Sequence, residues 1–321
     1  MTPAAAARWV RWGLAGLWIL DGCLQLQPAM MTANFADNVL YANALMYQPQ
    51  PLQGWLLALV RVGTAHTAAL SVTAAVVQIA IGLGILYRPS RRAALIFSVA
   101  WALLIWVGGE GLGALATGTA LLESGAPGSA LLYALLAVVV WPVERPGARS
   151  AAGLGLLSDR GVAWAWTGLW VMGALLHLQP RFPTGAVLAY NLQSAAQDQP
   201  GGLAALDYHL ARLANGHGLE VALALGLTEL LLAAGVWRWG LRRPTLRLAF
   251  ALTIGFWILA QALGGLASGL APDPGTAPAV LLLGLALYPA RPADRPLALP
   301  SSSETAPAWA QGSPGSRPAN G

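Results

Sequence analysis

The residues able to do chemistry in this 321-residue chain are few, because only 10% of it is charged. Asp21 lies inside an apolar run, with Gln25 one helical turn further on the same face. An aspartate at that depth either handles protons or binds a ligand, or it pairs with a neighbouring helix. His66 and His217 each follow an arginine, Arg61 and Arg212, by five residues. At the outer mouth of a bundle such a histidine acts as a ligand or general acid–base; the plainer reading is a hydrogen bond to the adjoining loop. Glu229 lies 12 residues beyond His217, which is about 18 Å along a helix, so these two cannot touch. In hydrocarbon Glu229 either relays protons or bonds across helices. Glu110 lies within Gly108–Gly113, where glycines permit a sharp turn and close backbone approach. With no βαβ context this is not a dinucleotide-binding turn.

These residues form a set on the outer side: Asp21, Gln25, Arg61, His66 and Glu110, then His177, Gln179, His209, Arg212, His217 and Gln261. Catalytic roles are expected for His66, His217, Glu229 and Asp21. Substrate contacts are expected for Arg61, Arg212, Glu110, Gln25, His177 and Gln261. A pseudo-twofold axis can bring His66 and His217 together as haem ligands, but nothing else in the sequence points to haem. No metal site is assigned. Cys23 is the only cysteine, which excludes internal disulfides, CxxC redox pairs and cysteine-rich zinc or iron–sulfur centres.

The elements that must hold this set are apolar. The chain is 56% hydrophobic, whereas a soluble domain carries about 25% charged residues. Lipid is the expected solvent. The net charge of +5 comes with no lysine at all, only arginines in short loops between apolar runs. That distribution sets topology and is not the one-sided basic face of a nucleic-acid binder. Windows of about 20 residues give eight expected spans, at 9–28, 64–87, 92–110, 126–142, 161–180, 215–238, 244–262 and 276–290.

The spans repeat. Gly16-Leu17-Trp18 recurs as Gly168-Leu169-Trp170, and Leu26-Gln27-Pro28 as Leu178-Gln179-Pro180. Adding 151 takes Arg61 to Arg212, His66 to His217, Gln78 to Glu229, Arg91-Arg92 to Arg242-Arg243, Trp106 to Trp257 and Gly118 to Gly269. One ungapped offset that aligns rare residues predicts a tandem duplication. It also argues against a cleaved leader, since the first span recurs internally. The expected fold is all-α and integral to the membrane: a four-helix repeat at 1–145, a linker at 146–160, a second repeat at 161–290 and a disordered tail at 291–321.

Arginine counts place both termini, the linker and the turns at Arg88–Arg92 and Arg238–Arg247 on the cytoplasmic side. An even number of spans per copy makes the repeats parallel. The outer segments 29–63 and 181–214 are long enough to cover something, and 52–62 and 203–213 read as amphipathic interfacial helices. No polar cluster is expected at the inner ends beyond the arginine anchors.

Each repeat resembles the DoxX/DoxD-like family of four-span bacterial membrane proteins. The resemblance rests on the exit Leu24-Gln25-Leu26-Gln27-Pro28 and on a polar residue in span two, followed by small and apolar residues and then a basic turn. That pattern runs from Gln78 to Arg88 and from Thr228 to Arg238. Glu229 matches the Glu of the family's Gly-Glu-Leu helix motif, whereas Gln78 and Thr228 depart from it. The resemblance implies a bacterial inner-membrane location and redox work with quinone and a small sulfur species such as thiosulfate, alongside a periplasmic or membrane redox partner. The competing expectation is a non-catalytic carrier, or a scaffold for a periplasmic partner.

Overall fold

The computed structural model describes residues 2–143, 150–179 and 183–289. The expectations for Arg145, Arg149, Pro180, Arg181, Arg291, Arg295, Arg317 and the tail lie outside the described residues. All regular structure among the described residues is helical. In the first half α1 is Pro3–Leu24, α2 is Gln50–Thr64, α3 is Thr67–Leu86, α4 is Arg91–Gly108 and α5 is Ser129–Val139. In the second half α6 is Asp159–Leu176, α7 is Thr184–Gln197, α8 is Gly201–Gly216, α9 is Gly218–Gly235, α10 is Trp239–Ile258 and α11 is Ala277–Leu287.

The starts of α1 and α6 are written locally. Thr2 caps α1 through Ala5 N–H, with Pro3 at the first helical position. Ser158 caps α6 through Gly161 N–H, with Asp159 in the first turn. Along α1, Ala6, Val10, Leu14, Trp18 and Gly22 are buried; steps of four residues make one helical face. That face packs on α3, and α6 packs on α9 in the same way. The central core gathers Trp18, Tyr133, Trp166 and Trp170 with α5 and α11 between the halves.

Among the described residues three helices, α3, α4 and α9, are long and apolar enough to cross a membrane, and a fourth is added if α10 and Ala262–Ser268, bent by 51°, form one span; that is fewer than the eight expected. Their presence agrees with a helical membrane protein. Helices α5 and α11 have 11 residues each, about 16 Å at 1.5 Å per residue, against a hydrocarbon core of about 30 Å. What precedes each is an irregular segment rather than more helix. There Gly111, Leu112, Gly113 and Ala114 have positive φ, as do Ala262, Leu263, Gly264 and Gly265. A Cβ on Gly113 would overlap the Pro127 carbonyl, and one on Gly264 would overlap the Pro274 backbone. The close approach expected of these glycines therefore exists in both halves.

Two expectations change in detail. The helices expected at 52–62 and 203–213 are present as α2 and α8, and the outer segment 181–214 also holds a helix that was not anticipated, α7. The single offset also breaks. Ser129 Oγ and Ala130 N–H donate to Glu110 Oε1, and Thr276 Oγ1 and Ala277 N–H donate to Gln261 Oε1. Glu110 and Gln261 are 151 apart, but their donors are 147 apart, so the second half's loop is four residues shorter. Ahead of α3 and α9 the offset is 152, from Gln27 to Gln179.

Candidate functional site

The loops before α5 and α11 do not stay with their own halves. Gln179 Nε2, just past α6, donates to the Ala120 carbonyl of the first half's loop at 2.6 Å. Gln27 Nε2, just past α1, donates to the Ala271 carbonyl of the second half's loop at 3.4 Å. Each loop is thus seated in the opposite half. The first half's loop is further held by Asn191 of α7, which donates to Ser124 Oγ at 2.8 Å, and by Gln261, which donates to the Glu123 carbonyl at 3.1 Å. These three hydrogen bonds place Glu123 beside the helices of the second half.

There it meets the cluster that the sequence left scattered. His177 caps the C-terminus of α6, and Glu229 is the twelfth residue of α9. His177 Nε2 lies 3.1 Å from Glu229 Oε2 and 3.4 Å from Glu123 Oε1. All three side chains are buried, with at most 2% exposure. Their donor atoms lie within 4.8 Å of one another. Glu123 Oε1 and Oε2, Glu229 Oε1 and His177 Nδ1 have no hydrogen-bond partner. Room for the Glu229 carboxylate comes from Gly173 on α6: a Cβ there would stand 2.5 Å from Glu229 Oε1. His177 is anchored by its backbone carbonyl, which accepts from Thr184 Oγ1 at 3.2 Å. His177 and Glu229 were expected as separate contributors, and the structure brings them together. Glu123 was missed because it stands in the loop where the repeat offset is lost.

The equivalent place in the first half is built differently. Asp21 is buried on α1 and accepts a 3.4 Å hydrogen bond from Tyr133 of α5. Asp273, from the second half's loop, interacts electrostatically with Asp21, Glu110 and Tyr133. Asp273 accepts from Gly275 N–H at 2.7 Å. Glu110 faces the start of α5, where Ser129 Oγ and Ala130 N–H lie at 2.6 and 3.0 Å. That geometry orients the loop, and Gln261 repeats it. Gln25 and Gln78 are both buried.

The histidine and arginine pairs at the outer ends stand apart. His66 and His217 precede α3 and α9 with non-helical backbones, and both are exposed. His217 Nδ1 lies 3.0 Å from the Leu213 carbonyl. Arg61 and Arg212 are exposed on α2 and α8. His66 lines an open cavity of about 620 Å³ with Asp37, Tyr41 and Thr64. None of these side chains belongs to the His177 cluster. The ends expected on the inner side hold more than arginine anchors. Arg242 Nη1 reaches both Asp159 oxygens at 3.0 and 2.9 Å, and Ser150 Oγ donates to Asp159 at 2.6 Å.

A buried histidine between two carboxylates can hold a proton at Nε2, pass it to either oxygen, or give that nitrogen to a cation. No family model, curated protein or solved structure matches the chain.

Proposed function

We propose that the chain is a DoxX-like protein of the bacterial inner membrane, with eight spans in two parallel four-helix repeats and cytoplasmic termini. In this reading it is a quinone-linked oxidoreductase, or the membrane subunit of one, acting on a small sulfur compound from the outer side. The observation that carries the proton-handling part of this reading is the His177–Glu229–Glu123 cluster, a buried titratable group between apolar helices; the quinone and the sulfur donor rest on the family resemblance alone. Among the described residues no other His, Cys, Asp or Glu group of three meets as closely.

The chemistry balances with protons as the protein's contribution. Two thiols joined as a disulfide release two electrons and two protons, and a quinone takes up two of each to become a quinol. Two thiosulfates joined through a new sulfur–sulfur bond release the two electrons alone, so two protons must then reach the quinone from water. His177 supplies that path by holding a proton at Nε2 between two acceptors. Cys23 stands alone, so the chain cannot store the electrons as an internal disulfide. Arg61 and Arg212 draw an anionic donor to the outer face.

The test is quinone reduction by the purified protein with a thiol or thiosulfate donor, together with quinone-induced shifts in melting. Turnover that falls at least tenfold in Glu229→Gln is the expected result. No turnover with any such donor, and no quinone effect on melting, would overturn the reading. A scaffold for a periplasmic partner is the second reading, favoured by Tyr190, Leu206, Tyr208 and Leu213 exposed on α7 and α8. It predicts a partner that co-purifies and is lost when those side chains are made polar.

A further inference from the structure

We infer that Glu123, His177 and Glu229 form a binding site for one divalent first-row transition-metal ion. This goes beyond the redox reading and does not rest on its substrate; an ion at Nε2 takes the place of the proton that nitrogen holds in the relay.

The spacing of the three side chains matches that of metal ligands. Imidazole nitrogen and carboxylate oxygen bind such an ion at about 2.0–2.2 Å, so two adjacent ligands sit about 2.8–3.1 Å apart at octahedral angles and about 3.3–3.6 Å apart at tetrahedral ones. The Nε2–Oε2 and Nε2–Oε1 separations here are 3.1 and 3.4 Å. The three side chains therefore already stand along the edges of a coordination polyhedron. The ion would replace the Nε2–Oε2 hydrogen bond between His177 and Glu229.

The second observation is what the cluster leaves undone. Three of its four carboxylate oxygens accept no hydrogen bond, although both glutamates are buried. Buried charge of this kind is costly unless it is paired or bound to a metal. His177 alone does not complete it, since Nε2 is shared and only its contact with Glu229 has hydrogen-bond geometry. Two carboxylates carry two negative charges, which a divalent cation balances and one imidazolium does not.

The surroundings are built as a support. Gly173 leaves the space that Glu229 occupies. Glu123 is held by the Gln261 bond to its own carbonyl and the Asn191 bond to Ser124. His177 is tied by Thr184. Such outer contacts fix ligands in metal sites. The donor set also limits the ion. One imidazole and two carboxylates with no thiolate suit Mn²⁺, Fe²⁺ or Zn²⁺ and disfavour Cu⁺. Three protein ligands leave at least one position open to water or a small anion, as in catalytic rather than structural sites. To bind, Nε2 must give up any proton it carries, so loading releases protons and strengthens as pH rises.

The experiment uses the full chain in detergent, stripped with a chelator and titrated with Co²⁺ as a spectroscopic probe; bound Zn²⁺ is counted in parallel by elemental analysis. The expected result is about one ion per chain, with visible Co²⁺ bands of a nitrogen–oxygen site. Glu123→Gln, His177→Ala and Glu229→Gln should each weaken binding at least tenfold. The triple variant His66→Ala, His209→Ala, His217→Ala should bind as the parent does. Binding that survives Glu123→Gln, or that disappears in the surface-histidine variant, overturns the site. So does the absence of binding at millimolar Co²⁺. Glu123→Gln keeps the test open if His177→Ala fails to fold, because it changes one loop side chain and almost no volume. Metal content is read without quinone or sulfur donor, so its failure and the failure of turnover are separate results.

Discussion

In the first half, Asp21 stands on α1 and Gln78 on α3. In the second half the corresponding places on α6 and α9 hold Gly173 and Glu229. The carboxylate has moved from one helix to its neighbour, and the vacated position has shrunk to glycine to make room. One turn further along α1 and α6, Gln25 is replaced by His177, and the visiting loop brings Asp273 to one site and Glu123 to the other. Trp18 donates to Ser98 at 2.8 Å, whereas Trp170 has Ala249 at the matching place and its indole N–H has no acceptor. A shared scaffold thus carries two polar sites whose members changed together. In the first, Tyr133 and Ser129 donate to Asp21 and Glu110, and one carboxylate oxygen, Glu110 Oε2, is left without a partner. The second is open at three carboxylate oxygens.

The most damaging way to break this contrast is to give the second half the first half's glutamine. His177→Gln leaves Glu123 and Glu229 with a neutral amide in place of the one group between them that can carry positive charge. Breaking a buried pair in this way costs about 3–5 kcal/mol, read as a fall in melting temperature in detergent. Gln25→Ala, at the matching place in the first half, should cost less than half as much. Equal losses would show that the two sites are energetically alike.

Gly173→Asp comes next. A side chain there meets Glu229 Oε1, and overpacking alone costs about 1–3 kcal/mol. Adding Glu229→Gln rebuilds the first half's pair and should recover at least half of that loss. A double variant no better than the single would sink the idea that these positions compensate one another. Gln261→Ala is milder. It removes the donor to the Glu123 carbonyl and the acceptor of Thr276 Oγ1 and Ala277 N–H, an effect of about 1–2 kcal/mol on stability, and it should cut Co²⁺ affinity about tenfold as an outer-contact change.

The difference in chemistry was partly legible in the sequence. The pairing of Asp21 with Gly173, Gln25 with His177 and Gln78 with Glu229 follows from counting residues along two apolar runs. The helices at 52–62 and 203–213 follow from their periodicity. The exchange of loops does not. It depends on Gln27 and Gln179 donating to carbonyls far along the chain, at Ala271 and Ala120, and a backbone carbonyl has no signature in sequence. Glu123 was hidden for the same reason. It lies outside any apolar run and has no acidic counterpart at the shared offset. His66 and His217 drew weight because both halves keep them, yet their positions ahead of α3 and α9 leave them exposed, away from the buried cluster. Repetition marked the scaffold, and the site lies where repetition fails.

The smallest expected effect concerns the outer helices, where the same offset pairs Leu56 on α2 with Asp207 on α8. Both side chains are buried, at 1% and 0% exposure. Leu56 packs with Met30, Phe35 and Val60. Neither Asp207 oxygen has a hydrogen-bond partner, and burial pushes its carboxyl above the ordinary value. The folded state then binds this proton more tightly than the unfolded chain does. Stability is greatest below the unfolded value of about 3.9 and falls as pH rises toward the folded value. Asp207→Leu removes that slope. At pH 7 it should stabilise the protein by about 1 kcal/mol, the cost of an unpaired polar group in a core. The ionisation part of the gain should vanish near pH 3, as melting curves across that range would read. Loss of stability at pH 7 would mean that Asp207 is paired in the working protein, and that the second half's outer cover, like its core, has taken on a role its counterpart lacks.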